Sequence, residues 1–146
     1  MLNGGTCAKA FAKEAVHRKN PKLFAKKVQK NLSVFEGFFD FLSFQTLLKS
    51  TGANKLELPI TQPDYLILNS ISFFEKQRAV MEKYSSIHLF PDRDERGKAM
   101  TQMALQWSDK FKDQSHFYKQ VKDLNEFLIK CHGRQIKPRQ SRRLRL

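Results

Sequence analysis

The sequence predicts an α/β domain built on a mainly parallel sheet of about four strands flanked by helices. Three observations carry this. Short apolar runs of strand length alternate with longer segments of helical period, in the order strand–helix–strand–helix–strand–helix. The run Asp64-Tyr65-Leu66-Ile67-Leu68-Asn69 is apolar without a break in its middle, as suits a parallel strand covered on both faces. Two acidic motifs, Glu36-Gly37-Phe38-Phe39-Asp40 and Asp92-Arg93-Asp94-Glu95-Arg96-Gly97, each follow directly on a strand candidate. That is where an open α/β sheet has its ligand crevice.

Taken in order, residues 1–30 are Lys-rich, with Phe11, Ala15, Leu23, Phe24 and Val28 scattered among the charges and a break at Asn20-Pro21. No packed unit is expected there. Leu32 to Phe35 forms the first strand. From Gly37 to about Lys49, seven apolar residues (Phe38, Phe39, Phe41, Leu42, Phe44, Leu47, Leu48) predict a helix buried on most sides. Residues 50–54 hold the Gly and Asn that stop it, and 55–63 connect to the strand at 64–69. A helix is expected from Ile71 to about Tyr84, with Phe73, Phe74, Val80 and Met81 on one face and Ser72 as its cap. Ser86 to Phe90 is the next strand. A helix from Asp94 to Trp107 places Met100, Met103, Ala104 and Trp107 at helical spacing. Residues 110–118 have room for a short edge strand, and Leu124 to Cys131 is the last helix. The expected organisation is a basic N-terminal extension (1–30), the folded domain (31–132) and a basic, disordered tail (133–146).

The formal net charge of +13 belongs to the ends. Residues 1–30 carry eight Lys/Arg against one acid, and 133–146 carry six and none. The centre has thirteen of each sign and is neutral. Such charge reads as flexible arms for nucleic acid rather than a docking face. The arm residues are Arg134, Lys137, Arg139, Arg142, Arg143 and Arg145. Cys7 and Cys131 make no zinc spacing with the four histidines. No apolar stretch of about 18 residues and no secretory h-region is present, so a cytoplasmic protein without a membrane span is expected.

The acidic motifs admit bland readings. Glu36 and Asp40 have the spacing of a solvated i, i+4 pair. Asp94 can cap the helix it begins, and Asp123 can cap the helix at Leu124. An EF-hand fits Asp92, Asp94 and Gly97 but fails at Arg96 and Met103, which offer no anionic ligand. Two acidic strand ends side by side make an all-oxygen pocket of the kind that holds magnesium.

These motifs resemble the Toprim domain shared by bacterial-type DNA primases, topoisomerases and some nucleases. The family carries Glu at the end of its first strand and Asp-x-Asp at the end of its third, matched by Glu36 and by Asp92 and Asp94. Glu36-Gly37-Phe38-Phe39-Asp40 is most similar to the primase branch. Lys122-Asp123-Leu124-Asn125-Glu126 and Tyr65-Leu66-Ile67-Leu68-Asn69-Ser70 resemble primase-like proteins of plasmids and other mobile elements. The resemblance covers about residues 31–131. It implies Mg²⁺, with Mn²⁺ as substitute, held by Glu36, Asp92 and Asp94, with Asp40 and Asp123 as further ligands and Asn125 as a weaker one. It implies nucleotidyl transfer on single-stranded DNA or RNA/DNA from nucleoside triphosphates. Related primases carry an N-terminal zinc ribbon and an extra subdomain that residues 1–30 do not show. A primase fragment is therefore expected, served by a helicase or a separate zinc-ribbon or primase subunit. The alternatives are a non-catalytic metal- and nucleic-acid-binding module and, less favoured, a nuclease. There is no room for a topoisomerase's tyrosine-bearing domain.

Overall fold

The computed structural model describes residues 20–24, 30–50 and 63–133. They form a five-stranded sheet: β1 (Lys22–Phe24), β2 (Asn31–Phe35), β3 (Asp64–Ile67), β4 (Ser86–Phe90) and β5 (Phe111–Asp113), in the order β1-β3-β2-β4-β5. β2 pairs in parallel with both β3 and β4, and β4 with β5. β1 pairs antiparallel with β3, with Leu23 opposite Leu66. The sheet thus begins inside the segment that the sequence sets apart as a basic extension. Lys22 and the exposed Leu23 suit an edge position. Phe24 turns inward and stacks on Phe41 at 5.9 Å.

Side chains alternate across the central strands. Leu32 and Val34 of β2 and Ile87 and Leu89 of β4 face one layer of helices, while Phe35 and Phe90 face the other. The first face is covered by α3 (Glu95–Trp107), through Met100 and Ala104, and by the segment between β3 and β4, through Phe74, Met81 and Tyr84. The second is covered by α1 (Phe38–Ser50), through Phe41, Phe44 and Leu47, and by α4 (Leu124–Gly133). Stacking of Phe35 on Phe90 at 4.9 Å, with Phe44 5.0 Å from Phe90, fills the space beneath α1.

Two expectations change. The segment from Ile71 to Tyr84 is not one helix. It runs as 3-10 turns at Ile71–Phe73 and Glu75–Gln77 and then a short helix α2 (Arg78–Met81). The cap is Ser70, whose Oγ accepts from the Ser72 amide and pairs with the Ser72 hydroxyl. Only Phe74, Met81 and Tyr84 of this stretch are fully buried, at spacings of seven and three, so separate turns reach the sheet as well as a continuous helix would. Phe39 is 72% exposed, so α1 keeps one apolar residue in solvent at its first turn.

Two residues beyond the end of β3, Asn69 adopts a positive φ of 60°. Asn tolerates this region better than most residues. Its side-chain Nδ2 donates to the Asn20 carbonyl at 3.0 Å, tying the turn to the residues before β1.

Candidate metal centre

The crevice position follows from topology. After β2 the chain crosses to β3 over one face through α1. After β4 it crosses to β5 over the opposite face through α3. The carboxyl ends of the adjacent strands β2 and β4 are therefore a switch point, where the departing loops diverge and leave a cleft. Glu36 and Asp40 follow β2, and Asp92 and Asp94 follow β4.

Asp40, on the first turn of α1, and Asp92, in the β4–α3 loop, meet Asp123, at the start of α4. Each offers a carboxylate oxygen within 4.8 Å of the others. Glu36 stands beside them, its Oε2 accepting from the Asp92 amide at 3.4 Å. Asp94 caps α3, accepting from the Gly97 amide with Oδ1 at 2.9 Å. Asp123 also caps, accepting from the Glu126 amide at 2.8 Å, while Glu126 reaches back to the Lys122 amide at 2.9 Å. Asn125 meets the site with its backbone: its amide donates to Asp40 at 3.3 Å, and its side-chain oxygen accepts from Ser43. The residues Arg134, Lys137, Arg139, Arg142, Arg143 and Arg145 lie outside the described residues.

Two hydrogen bonds hold the β4–α3 loop in place. Tyr118 donates to the Pro91 carbonyl at 2.8 Å, and the Arg93 amide donates to the Lys122 carbonyl at 2.7 Å. Gly97 shapes the site sterically, a part that the sequence marks only as position six of a calcium loop that fails elsewhere. A Cβ at Gly97 would overlap the Asp92 carbonyl, so its lack of a side chain lets α3 begin directly against the loop. Gly37 plays a lesser version of this part, since a Cβ there would come 3.1 Å from Asp40 Oδ2.

Electrostatics marks the cluster as under-neutralised. Burial and then the Asp92 and Asp123 charges push the Asp40 carboxyl up to about 7, against partial relief from the Asn125 amide. Burial and the Asp92 charge raise Glu36. Asp92 is raised by burial despite Lys122, whose ammonium lies 3.6 Å from its Oδ2. Carboxylates disfavoured in this way are what a bound cation relieves. The donors are all oxygen, the hard set that suits Mg²⁺ or Mn²⁺. No helix among the described residues is long and apolar enough to cross a membrane.

No curated protein matches the chain. Among solved structures, the primase fragment of the bacteriophage T7 primase-helicase protein superposes with a TM-score of 0.54 at 23% identity, covering 82% of this chain and 48% of that one. The T7 primase domains bound to an RNA/DNA hybrid and dTTP, seen with the phage lagging-strand DNA polymerase, give the same score and identity over 59% of their length. The chain thus spans about half the length of the solved chains it resembles. A model of the Toprim-like family matches residues 33–128, from the middle of β2 to the middle of α4 and across all five acidic positions, and the chain belongs to that family.

Proposed function

We propose that this domain is the metal-dependent part of a DNA primase-type nucleotidyltransferase, extending primers on single-stranded template in the replication or transfer of a mobile element. The observation that carries this is the approach of Asp40, Asp92 and Asp123 to within 4.8 Å at the switch point of a Toprim-like sheet. Asp92, Asp40 and Asp123 would hold Mg²⁺ or Mn²⁺, with Glu36 as a further ligand. Asp94 keeps the first turn of α3 closed against Asp92 and adds its charge to the site. Glu36, Asp92 and Asp94 form the catalytic set. When bound, the ion supplies charge stabilisation at the phosphoryl oxygens and a more acidic attacking hydroxyl.

Fold likeness to the T7 primase structures supports the reading. The RNA/DNA hybrid and dTTP seen with those primase domains are the ligand classes assigned to this chain. Single-stranded DNA would be drawn in by the arginine-rich tail. The site of action would be the cytoplasm, with a helicase or a separate zinc-ribbon subunit as partner.

One observation favours a second, non-catalytic reading. Lys122 already places an ammonium 3.6 Å from Asp92, where it competes with an ion for that carboxylate and would leave a metal site too weak for catalysis, as in a binding module. Incubation with single-stranded template, nucleoside triphosphates and Mg²⁺ or Mn²⁺ tests both. Labelled primers from the wild type and none from Asp92→Asn support the primase reading. Nicking of labelled DNA without synthesis indicates a nuclease, and neither activity leaves the binding module.

A further inference from the structure

A cavity of about 360 Å³ opens between the 3-10 turn at Ser115–Tyr118, the residues that follow it and α4. That volume is in the range of small-molecule sites, roughly 300–1,000 Å³. Its walls are separate from the acidic cluster and include none of Asp40, Asp92 and Asp123. One wall is aromatic. The His116 and Phe117 rings lie 4.1 Å apart, and Phe127 of α4 joins them. Phe117 and Phe127 are only partly buried against the core, so ring surface remains for a ligand. The lining also holds the ammonium groups of Lys119 and Lys130, and no carboxylate. Lys130 is shared: its ammonium lies 3.2 Å from Glu126 and 3.5 Å from the Gln120 carbonyl. Lys119 makes no ion pair among the described residues, so it is the cation left for an anionic ligand.

We propose that this cavity binds one nucleotide unit, with its base stacked on Phe117 and its phosphate held by Lys119. The proposal goes beyond the metal centre and does not depend on it. Rings beside an unpaired cation suit a ligand that carries a flat face and an anion close together. A nucleoside monophosphate has both. Any base can stack on an aromatic side chain, and an ammonium binds phosphate through a charge-assisted hydrogen bond. Lys130 adds a second positive group to the wall. An acidic peptide would satisfy Lys119 but would bring a flat ring only where its sequence happens to carry one. The turn is held in place for this task. His116 Nδ1 donates to the Asp113 carbonyl at 3.2 Å, and Tyr118 donates to the Pro91 carbonyl at 2.8 Å. The same chemistry belongs to a free nucleotide and to one residue of a single-stranded nucleic acid. Val121, on the cavity wall, is two residues from Asp123, at most about 7 Å of chain. A single strand lying in the cavity would therefore pass beside the acidic cluster.

The test is an amide NMR titration of the full chain in EDTA, with deoxyadenosine monophosphate, a deoxyadenosine tetranucleotide and inorganic phosphate as probes. The monophosphate should shift the amides of residues 116–121 and 127–131 and leave those of Asp40 and Asp92 in place. Lys119 is exposed, so its variants should keep the fold. Lys119→Ala should weaken binding at least about tenfold, and Lys119→Arg should recover most of the loss. Phe117→Leu keeps the apolar packing but removes the ring, and should weaken binding at least about fivefold. A tetranucleotide that binds much more tightly through the same residues identifies a single strand as the source, and equal affinity identifies the free nucleotide; either supports the cavity. No shift at these residues with either nucleotide probe, equal binding by Lys119→Ala and wild type, or inorganic phosphate binding as tightly as the monophosphate overturns it. So does a peptide of acidic residues and phenylalanine that binds there more tightly than either nucleotide probe. Because no metal takes part, failure here counts against the cavity alone, whereas loss of Mn²⁺ uptake counts against the metal centre alone.

Discussion

Gly97 lies so close to Asp92 that any side chain at position 97 would collide with the Asp92 carbonyl. The glycine joins two requirements of the site. It lets Asp94 close the first turn of α3 on the Gly97 amide, and it lets Asp92 stay at the mouth of the β2–β4 cleft. Gly97→Ala should therefore shift the Asp92 backbone rather than be absorbed by a flexible side chain. The expected destabilisation is at least about 1–3 kcal/mol, the usual cost of overpacking. Urea unfolding should show it, together with weaker Mn²⁺ binding. A variant with wild-type stability and wild-type metal affinity would contradict this role.

Asp40 should make the metal-free fold lose stability as pH rises. Its carboxyl stands at about 7 in the folded state against an ordinary value of 3.8. Between these values the folded chain holds a proton that the unfolded chain has released, so the folded state is favoured at the acid end. That advantage fades by about 1.4 kcal/mol per pH unit as pH climbs through the window, and it is gone above about 7. Chemical denaturation across this range should show the decline in wild type and a flatter profile in Asp40→Asn. Millimolar Mg²⁺ should recover stability at the alkaline end, since the ion replaces the proton and binds only the native state. The same slope in Asp40→Asn as in wild type would place the pH dependence elsewhere.

The arginine-rich tail is expected to add affinity for nucleic acid without sequence choice. Its six cations leave a domain whose centre is neutral. Counterion release gives a log–log salt slope of about −0.7 for each phosphate neutralised on a single strand. Deleting residues 134–146 should weaken binding to labelled single-stranded DNA and flatten that slope, while Mn²⁺ binding stays the same. Equal affinity and equal slope at two salt concentrations would dismiss the arm.

The parts of the fold visible in the sequence are those with a strong local pattern. Ser86–Phe90 and the start of β3 at Asp64 follow from apolar runs bounded by polar residues. The helix after Asp94 follows from its cap and its Met100-Ala104 stripe. β1 is not visible, because three residues among lysines have no period; what makes them a strand is the free edge of β3. The break between Ile71 and Met81 is hidden because Phe73 and Val80 fit a helical stripe that the sheet does not fully bury. At the site, the acidic positions are legible one by one. Their relative placement is not, since Asp123 meets Asp40 and Asp92 only through the packing of α4 against α1.

That Asp40, Asp92 and Asp123 form one cation site is tested most directly by electron paramagnetic resonance titration of the full chain with Mn²⁺. Wild type should take up Mn²⁺ in competition with Mg²⁺, and Asp92→Asn should lose at least about tenfold in affinity, about the worth of one contact to a charged group. Uptake by Asp92→Asn equal to wild type, or no uptake by wild type, would contradict the assignment.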